Sequence, residues 1–408
     1  MPQPSRSESP PLGSRPWVAY VGPFTFPWGQ AASRRVAGVA DSILATGRDV
    51  AVISGSERVG TRLLAVRASD ARLWVVGAPD VPMGSDGVAR QVAQHVTAAQ
   101  KTVEFLAAQS VAPSHVVVYG GGISYALRIL RWARSADVAV LADVVEWYSP
   151  RQFRGGIASP AFVSAHLALR GAYPRFDGVI AISEYLSNRY RSLPTAVVPP
   201  TVDMTGLMAG RSAREHLRPR SGALTLCYFG RPGRKDLLAT IIDGFEIAAA
   251  RIRHHTILRL RVAGPDEREV TELLGRDIPP GVDILPDLPQ GEIGEFLAAA
   301  DFSVLLRPRA TYSRAGFPTK FVESLANATP VIANITSDLH RYLVDGVNGL
   351  VITGTAPEDV ATAIERAASL PTDERQRLRQ AALRTAVESF DSSAYVTAVD
   401  DLLSRTSE

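Results

Sequence analysis

The chain has 408 residues, of which 46% are hydrophobic and 21% charged, with a formal net charge of +3. This composition is typical of a soluble globular protein with two or three domains. So small a net charge argues against nucleic acid as a partner. Cys227 is the single cysteine, which excludes an intramolecular disulfide and a multi-cysteine metal site.

The amino-terminal segment 1–16 is rich in proline and serine and contains no apolar stretch. This pattern predicts a disordered tail rather than a signal peptide. No apolar run in the chain reaches the roughly eighteen residues that a membrane-spanning helix needs. The sequence therefore favours a cytoplasmic location.

Apolar runs typical of strands alternate with helical stretches through residues 17–200. Strands are predicted at 17–22, 49–54, 73–79, 115–121, 138–144, 177–183 and 196–200. Helices are predicted at 31–46, 87–109, 124–135 and 160–172. Short strands joined by helices indicate a parallel sheet with crossover connections, so we expect a Rossmann-like amino-terminal domain.

Residues 201–223 are polar and arginine-rich, which predicts an interdomain linker. The alternation then resumes, and residues 224–390 are predicted to form a second Rossmann-like domain. Its strands are predicted at 224–230, 258–264, 282–288, 302–308 and 330–334, and its helices at 237–253, 291–300 and 319–328, followed by helical structure over 357–404. We expect the helix at 391–408 to pack back toward the amino-terminal domain. The predicted fold class is α/β, with two doubly wound parallel-sheet domains facing a central cleft.

The segment 315–334, AGFPTKFVESLANATPVIAN, is the most specific motif of the chain. Its glycine permits close backbone approach to a ligand, and the helix that follows presents free N–H groups to a phosphate or a sugar. A carboxylate at Glu323 can accept hydrogen bonds from two neighbouring ribose hydroxyls. The candidate ligand-binding residues are Gly316, Phe317, Thr319, Lys320 and Glu323. The alternative for Glu323 is a solvated acid on a helix surface.

A second motif, CYFGRPGRKDLL, follows the first strand of the second domain. Arg231 and Lys235 are expected at the carboxyl end of that strand, where two cations can stabilise negative charge on a bound ligand. Only three of the 44 basic residues are lysines, and two of these three lie in the two motifs. Arg234 is a further candidate cation. The alternative is a pair of surface cations in a loop.

Two segments of the first domain carry weaker signals. In GPFTFPWGQAASRRV, Gly29 and Gln30 occupy the turn between the first strand and its helix. In LADVVEWYSPRQF, Asp143 or Glu146 could accept a proton from a bound hydroxyl group, and Trp147 or Tyr148 could stack on a flat ligand face. An acid that caps a loop beside an aromatic core residue is the structural alternative.

The order of these motifs over residues 17–390 resembles the retaining glycosyltransferases of the GT-B fold, close to the GT4 group. The resemblance implies a nucleoside diphosphate sugar as donor, with its diphosphate held by Arg231 and Lys235. It also implies that the loop of Gly29 and Gln30 closes over the phosphates and that backbone atoms near Leu285 face the nucleobase. The family has a glutamate where this chain has Ala315, which implies that the donor sugar is recognised differently or that catalysis is lost.

The resemblance further implies retention of anomeric configuration and no cofactor. We also expect no metal, because no Asp-x-Asp motif follows a strand and Arg231 and Lys235 already supply positive charge. The acceptor would be a small molecule, a glycan or a lipid-linked molecule. Two other functions stay open, a nucleotide-sugar 2-epimerase and a homologue that binds or regulates a partner. The arginine-bearing stretch 126–134, ALRILRWAR, could dock to the inner membrane face, although a helix covering the sheet explains it more simply.

Overall fold

The computed structural model describes residues 12–27, 31–55, 60–66, 71–78, 97–209, 224–233, 235–252 and 257–407. The chain divides into two compact units, the first formed by Met1–Thr201 and Ser392–Glu408 and the second by Val202–Asp391. Gly29, Gln30 and Arg234 lie outside the described residues. So do most of the predicted linker and the first part of the helix predicted at 87–109.

The first unit is built on an eight-stranded sheet with the order β3-β4-β2-β1-β5-β6-β7-β8. Its strands are β1 Trp17–Gly22, β2 Asp49–Ser54, β3 Gly60–Val66, β4 Arg72–Gly77, β5 His115–Tyr119, β6 Ala139–Val144, β7 Gly178–Ala181 and β8 Thr195–Val197. All neighbouring strands pair in parallel except β3, which is antiparallel to β4. Every residue of β1 and β2 is buried, because central parallel strands are covered on both faces.

Helices connect these strands and cover the sheet. They are α1 Ala31–Leu44, α2 Gln100–Ala107, α3 Gly122–Ala136, α4 Pro160–Leu167 and α5 Glu184–Ser187. A turn of 3-10 helix, Gly156–Ala158, precedes α4, and a π-helical segment, Ala168–Ala172, continues it. The strand order reverses between β1 and β5, and such a reversal opens a crevice at the carboxyl ends of the two strands.

The second unit is built on a six-stranded, wholly parallel sheet with the order β11-β10-β9-β12-β13-β14. Its strands are β9 Leu224–Phe229, β10 Leu258–Ala263, β11 Val282–Leu285, β12 Phe302–Leu305, β13 Val331–Asn334 and β14 Gly349–Ile352. Its helices are α6 Met204–Ala209, α7 Leu238–Ile252, α8 Glu267–Leu274, α9 Gln290–Ala298, α10 Thr311–Ala315, α11 Thr319–Ala326, α12 Pro357–Ser369 and α13 Thr372–Phe390. Here the order reverses between β9 and β12. The predicted fold class, two doubly wound α/β domains, is confirmed.

The last helix, α14 (Val396–Arg405), belongs to the first unit. Val399, Leu402 and Leu403 are buried in the hydrophobic core of that unit. The imidazole Nε2 of His115, at the start of β5, lies 2.9 Å from the carbonyl oxygen of Leu403. Burial lowers the pKa of His115 to about 4, so the ring is neutral at physiological pH.

Several elements differ from the sequence predictions. The edge strand β3 was not predicted, because its alternation is interrupted by a bulge between Leu63 and Ala65 and its side chains from Leu63 to Val66 are only partly buried or exposed. The edge strand β14 was not predicted either. The start of the predicted linker is not irregular chain, since α6 forms there and the amide of Val202 donates to the carbonyl of Phe390 at 2.8 Å.

Candidate active site

The carboxyl end of β9 in the second unit is shaped by two close-packed glycines. Gly230 has φ +79° and Gly264 has φ +122°, values that favour glycine. A Cβ atom on Gly264 would lie 2.9 Å from the backbone carbon of Gly230. Because the two backbones meet without side chains, the loop after β9 turns over the point where the strand order reverses, and it carries Arg231, Lys235 and Asp236.

Lys320, in the first turn of α11, reaches across to this loop. Its Nζ lies 2.5 Å from Oδ2 of Asp236 and 2.6 Å from the hydroxyl oxygen of Tyr228, which itself donates to Asp236 at 2.8 Å. The ammonium also lies 4.0 Å from the centre of the Tyr228 ring. Burial lowers the pKa of Lys320, and the charge of Asp236 opposes that shift. The two sequence motifs therefore meet in one buried cluster, defined here as the Lys320–Asp236–Tyr228 cluster.

Arg307, just after β12, joins this cluster to the turn before α11. Its Nε lies 3.9 Å from Oδ1 of Asp236, and its Nη1 donates to the carbonyl of Gly316 at 3.0 Å. The Arg307 amide and carbonyl both pair with the side chain of Asn334 at the end of β13. Residues from the ends of β9, β12 and β13 therefore hold the turn that begins α11.

Glu323 lies one turn further along α11 and is half-buried, with both carboxylate oxygens shielded from solvent. It interacts electrostatically with Lys320. Thr319 is half-buried at the first position of the helix, where the backbone N–H groups of the first turn have no partner within an α-helical ladder. A cation, a shielded carboxylate and helix-end donors are the groups that a diphosphate and a ribose need.

Two other predicted residues contribute to packing through their side chains. Phe317 is buried, and its ring contacts those of Phe321, Tyr342 and Phe390. Leu285, the last residue of β11, packs against a small hydrophobic cluster that includes Phe296. The Phe317 side chain is therefore occupied by packing, which leaves its backbone atoms to contact a ligand, whereas Leu285 is only partly buried.

The predicted cations lie in different environments. Arg231 is exposed and forms an ion pair with Glu269 of α8 at 2.6 Å. Lys235 is half-buried and directly precedes Asp236 in the loop. Surface ion pairs are weak, about 0–1 kcal/mol, so an anionic ligand can displace Glu269 from Arg231 at little cost.

In the first unit, Asp143 is buried at the end of β6 and its carboxylate is fully engaged. Arg35 of α1 contacts both carboxylate oxygens, with the shortest distance 2.8 Å, and the Tyr20 hydroxyl also donates to Asp143. Arg35 donates further to the carbonyl of Pro199 at 3.0 Å. This network connects β1, α1, β6 and the segment after β8 that contains Pro199. It favours a structural role for Asp143 over proton transfer.

Glu146 lies instead on a pocket of about 70 Å³, together with Tyr119, Tyr148, Tyr173 and the glycine loop 120–122. A Cβ on Gly122 would lie 2.3 Å from the Ser164 hydroxyl, so the loop packs closely on α4. Burial and the charge of Glu146 raise the pKa of Tyr148, so its phenol stays protonated. Phenol donors beside a carboxylate suit a polyhydroxylated ligand.

A larger pocket, about 480 Å³, adjoins the first through their shared residues Tyr119 and Gly120. It lies at the carboxyl ends of β1 and β5, where the strand order of this sheet reverses. Its other lining residues are Pro23, Phe24, Thr25, Ala32 and Ser33. A volume of this order is typical of small-molecule sites.

Among the described residues, no group of three or more histidine, cysteine or acidic side chains is placed to hold a metal ion. None of the helices in the described part of the chain is long and apolar enough to cross a membrane.

Comparisons with known proteins agree with this geometry. The family model of glycosyl transferases group 1 matches residues 212–385. The match covers most of the second unit, Val202–Asp391. The chain is 29% identical over 211 residues to D-inositol 3-phosphate glycosyltransferase of Thermomonospora curvata, a match that covers 47% of each protein. The chain thus matches about half the length of this curated relative.

Solved structures resemble the whole chain in fold. Sucrose-phosphate synthase from Thermosynechococcus elongatus has a TM-score of 0.68 and 14% identity, with 95% of this chain and 98% of that chain covered. Anabaena HepE, in complex with UDP and glucose, has a TM-score of 0.63 and 15% identity, with 96% and 100% covered. The predicted GT-B fold is confirmed, and the match of the second unit supports the predicted glycosyltransferase class. Membership of GT4 and retention stay predictions.

The sequence patterns did not single out Asp236 and Tyr228 of the second unit. Both stand inside the motif CYFGRPGRKDLL, but Lys320 lies 84 residues beyond Asp236 in the chain. The available signal was the rarity of lysine, which singled out Lys320. A lysine kept where the chain otherwise uses arginine indicates specific partners, and these partners are Asp236 and Tyr228.

Proposed function

We propose that the protein transfers a sugar from a nucleoside diphosphate sugar to an acceptor hydroxyl, without a metal and with retention. The observation that carries the proposal is the Lys320–Asp236–Tyr228 cluster, with Glu323 beside it, at the reversal point of the second sheet. Structural relatives such as HepE bind UDP and a sugar, which supports a donor of this class.

The proposed donor site uses each group for one part of the ligand. Lys320, Lys235 and Arg231 neutralise the diphosphate, and the first-turn N–H groups of α11 donate to it. Glu323 accepts hydrogen bonds from the ribose hydroxyls. Ala315 is buried and has no carboxylate for the transferred sugar, so backbone atoms of the turn at Gly316 take over part of that recognition.

In the proposed reaction the acceptor oxygen bonds to the anomeric carbon as the bond from that carbon to the diphosphate oxygen breaks. The hydroxyl proton passes to the departing diphosphate, whose charge the three cations stabilise. The pocket of Glu146, Tyr119 and Tyr148 binds acceptor hydroxyls and orients the attacking one. Glu146 is preferred over Asp143 for this role, because the Asp143 carboxylate is already held by Arg35 and Tyr20.

A thermal-shift screen of nucleoside diphosphates and their sugars tests the proposal. A stabilising donor should lose its effect in Lys320→Met and Glu323→Gln. Lys101→Met is the matched control, because Lys101 is an exposed lysine of the first unit that pairs with Glu104. If no nucleotide sugar stabilises the protein, or if the control loses the shift as well, the proposal is wrong. Interconversion of free nucleotide sugars without an acceptor would indicate an epimerase instead.

A further inference from the structure

An apolar surface of the first unit is exposed where a solvated helix face would be polar. Helix α4, PAFVSAHL, contains no aspartate, glutamate, lysine or arginine. Val163 and Leu167 lie one turn apart on its outer side and are 42% and 49% exposed. Ile157, in the turn before α4, is 72% exposed, the largest value among the large hydrophobic side chains in the described part of the chain.

The loop that carries Ile157 is fixed to α4. The ring centres of Phe153 and Phe162 lie 5.7 Å apart at a steep angle, a favourable edge contact between loop and helix. Ser159 caps the start of α4 by accepting from the amide of Phe162. The three exposed apolar side chains are therefore presented on one continuous piece of structure.

The segment that carries this surface has charged side chains of a single sign. Residues 147–176 contain four arginines and no aspartate or glutamate. All four arginines are exposed: Arg151, Arg154, Arg170 and Arg175. Exposed arginines on the segment that also carries the exposed aliphatic side chains match the charge and polarity of an anionic lipid surface.

An aromatic side chain lies at the edge of the same surface. Trp147 is half-buried, and the guanidinium carbons of Arg170 and Arg189 lie 5.1 Å and 4.7 Å from the centre of its ring system. Tryptophan is enriched at membrane interfaces, where its ring sits at the level of the lipid headgroups.

We propose that Ile157, Val163 and Leu167, with Arg151 and Arg154, form a surface that docks on an anionic phospholipid bilayer. The aliphatic side chains enter the headgroup region and the guanidinium groups bind lipid phosphates. A second copy of the chain fits this surface less well. A two-fold interface would place the exposed arginines of one copy close to the same arginines of the other.

The surface has a consequence for the acceptor, which rests on the proposed function. Ala165, Ala168 and Leu169, on the inner side of α4 and its π-helical continuation, line the pocket that holds Glu146 and Tyr148. One short helix thus separates the proposed lipid contact from the proposed acceptor pocket. A lipid-linked acceptor would present its headgroup at this depth.

Vesicle co-sedimentation tests the docking without any donor or acceptor, so its outcome is independent of the transferase proposal. The intact chain is mixed with vesicles of phosphatidylcholine alone or with phosphatidylglycerol added. We expect binding to the anionic vesicles that weakens with salt. Arg151→Gln with Arg154→Gln should reduce it about 25-fold, taking about fivefold for each arginine. Val163→Asn with Leu167→Asn should reduce it about tenfold or more.

Matched controls come from α8 of the second unit, where Arg268 and Leu273 are exposed. Arg268→Gln and Leu273→Asn should bind vesicles as the unchanged chain does. Four results would overturn the docking proposal. Three of them are vesicle results: no binding to anionic vesicles, equal binding to both vesicle types, and binding that the α4 variants leave unchanged. The fourth is that the unchanged chain does not bind vesicles but forms a dimer, and that Val163→Asn with Leu167→Asn dissociates this dimer. Circular dichroism of each variant confirms that the fold is retained.

Discussion

Replacing Asp236 by asparagine separates the electrostatic role of the Lys320–Asp236–Tyr228 cluster from its shape. The amide oxygen of asparagine can still accept from Lys320 and Tyr228, but the negative charge beside the buried ammonium is lost. Hydrogen bonds to a charged partner contribute about 1.5–3 kcal/mol each and neutral ones about 0.5–1.5 kcal/mol. Asp236 accepts two such bonds, from Lys320 and Tyr228. In the variant the Tyr228 bond becomes neutral, whereas the Lys320 bond keeps one charged partner. We therefore expect a loss of about 1–3 kcal/mol, below the roughly 3–5 kcal/mol typical of a buried pair that loses one partner.

Amide hydrogen exchange is the suitable assay, because it reports the opening of β9 and α11 separately from the first unit. Asp236→Asn should lower the opening free energy of these two elements by this amount. A double-mutant cycle with Lys320→Met should give a coupling of at least 1 kcal/mol, the scale expected of residues in direct contact. Lys101→Met again serves as the control lysine.

The same substitution has a pH signature. Burial lowers the pKa of Lys320 and Asp236 raises it, so removing the charge of Asp236 lowers the pKa further. UDP binding that depends on the ammonium is lost as the pH rises through this pKa, and the loss should therefore begin at a lower pH in Asp236→Asn. If the alkaline decline of UDP affinity occurs at the same pH in both proteins, and β9 and α11 open with unchanged free energies, the cluster does not act as described.

Three further predictions concern buried positions. Arg35→Met leaves the carboxylate of Asp143 buried without its partner, so the unfolding free energy should fall by about 3–5 kcal/mol in chemical denaturation, and retained stability would contradict the structural role of the pair. The neutral His115 has a pKa of about 4 against about 6.5 when unfolded, so stability should be complete above pH 6.5 and decline by roughly 3 kcal/mol toward pH 4. His115→Gln should abolish this slope; an unchanged slope would assign it to other groups. Ala315→Glu inserts a larger, charged side chain at a site with 0% exposure and should lower the melting temperature, at a cost of about 1–3 kcal/mol for overpacking alone. A stable Ala315→Glu protein would show that the site accommodates the glutamate of the family.

The alternation of apolar runs and helices was sufficient to predict two doubly wound domains, because fully buried parallel strands leave a continuous apolar trace. It failed at the edges. The edge strand β3 carries half-exposed side chains and a bulge, and α6 formed inside a segment whose polar composition predicted a linker. Edge strands and short helices depend on neighbours that a local pattern does not contain.

The motifs placed Lys320, Glu323, Arg231 and Lys235 correctly on a helix start and on a loop after a strand, since glycine, proline and helix-start signals are local. Tertiary structure alone decided what each side chain contacts. The motifs gave no sign that Asp236 would bind Lys320. The two residues come together because β9 pairs with β12 in the sheet, which brings the loop after β9 close to the start of α11. Asp143 and Glu146, three residues apart, looked equivalent in sequence. In the folded protein Asp143, near the end of β6, is buried against Arg35 of α1. Glu146 lies beyond the end of the strand and lines a pocket instead.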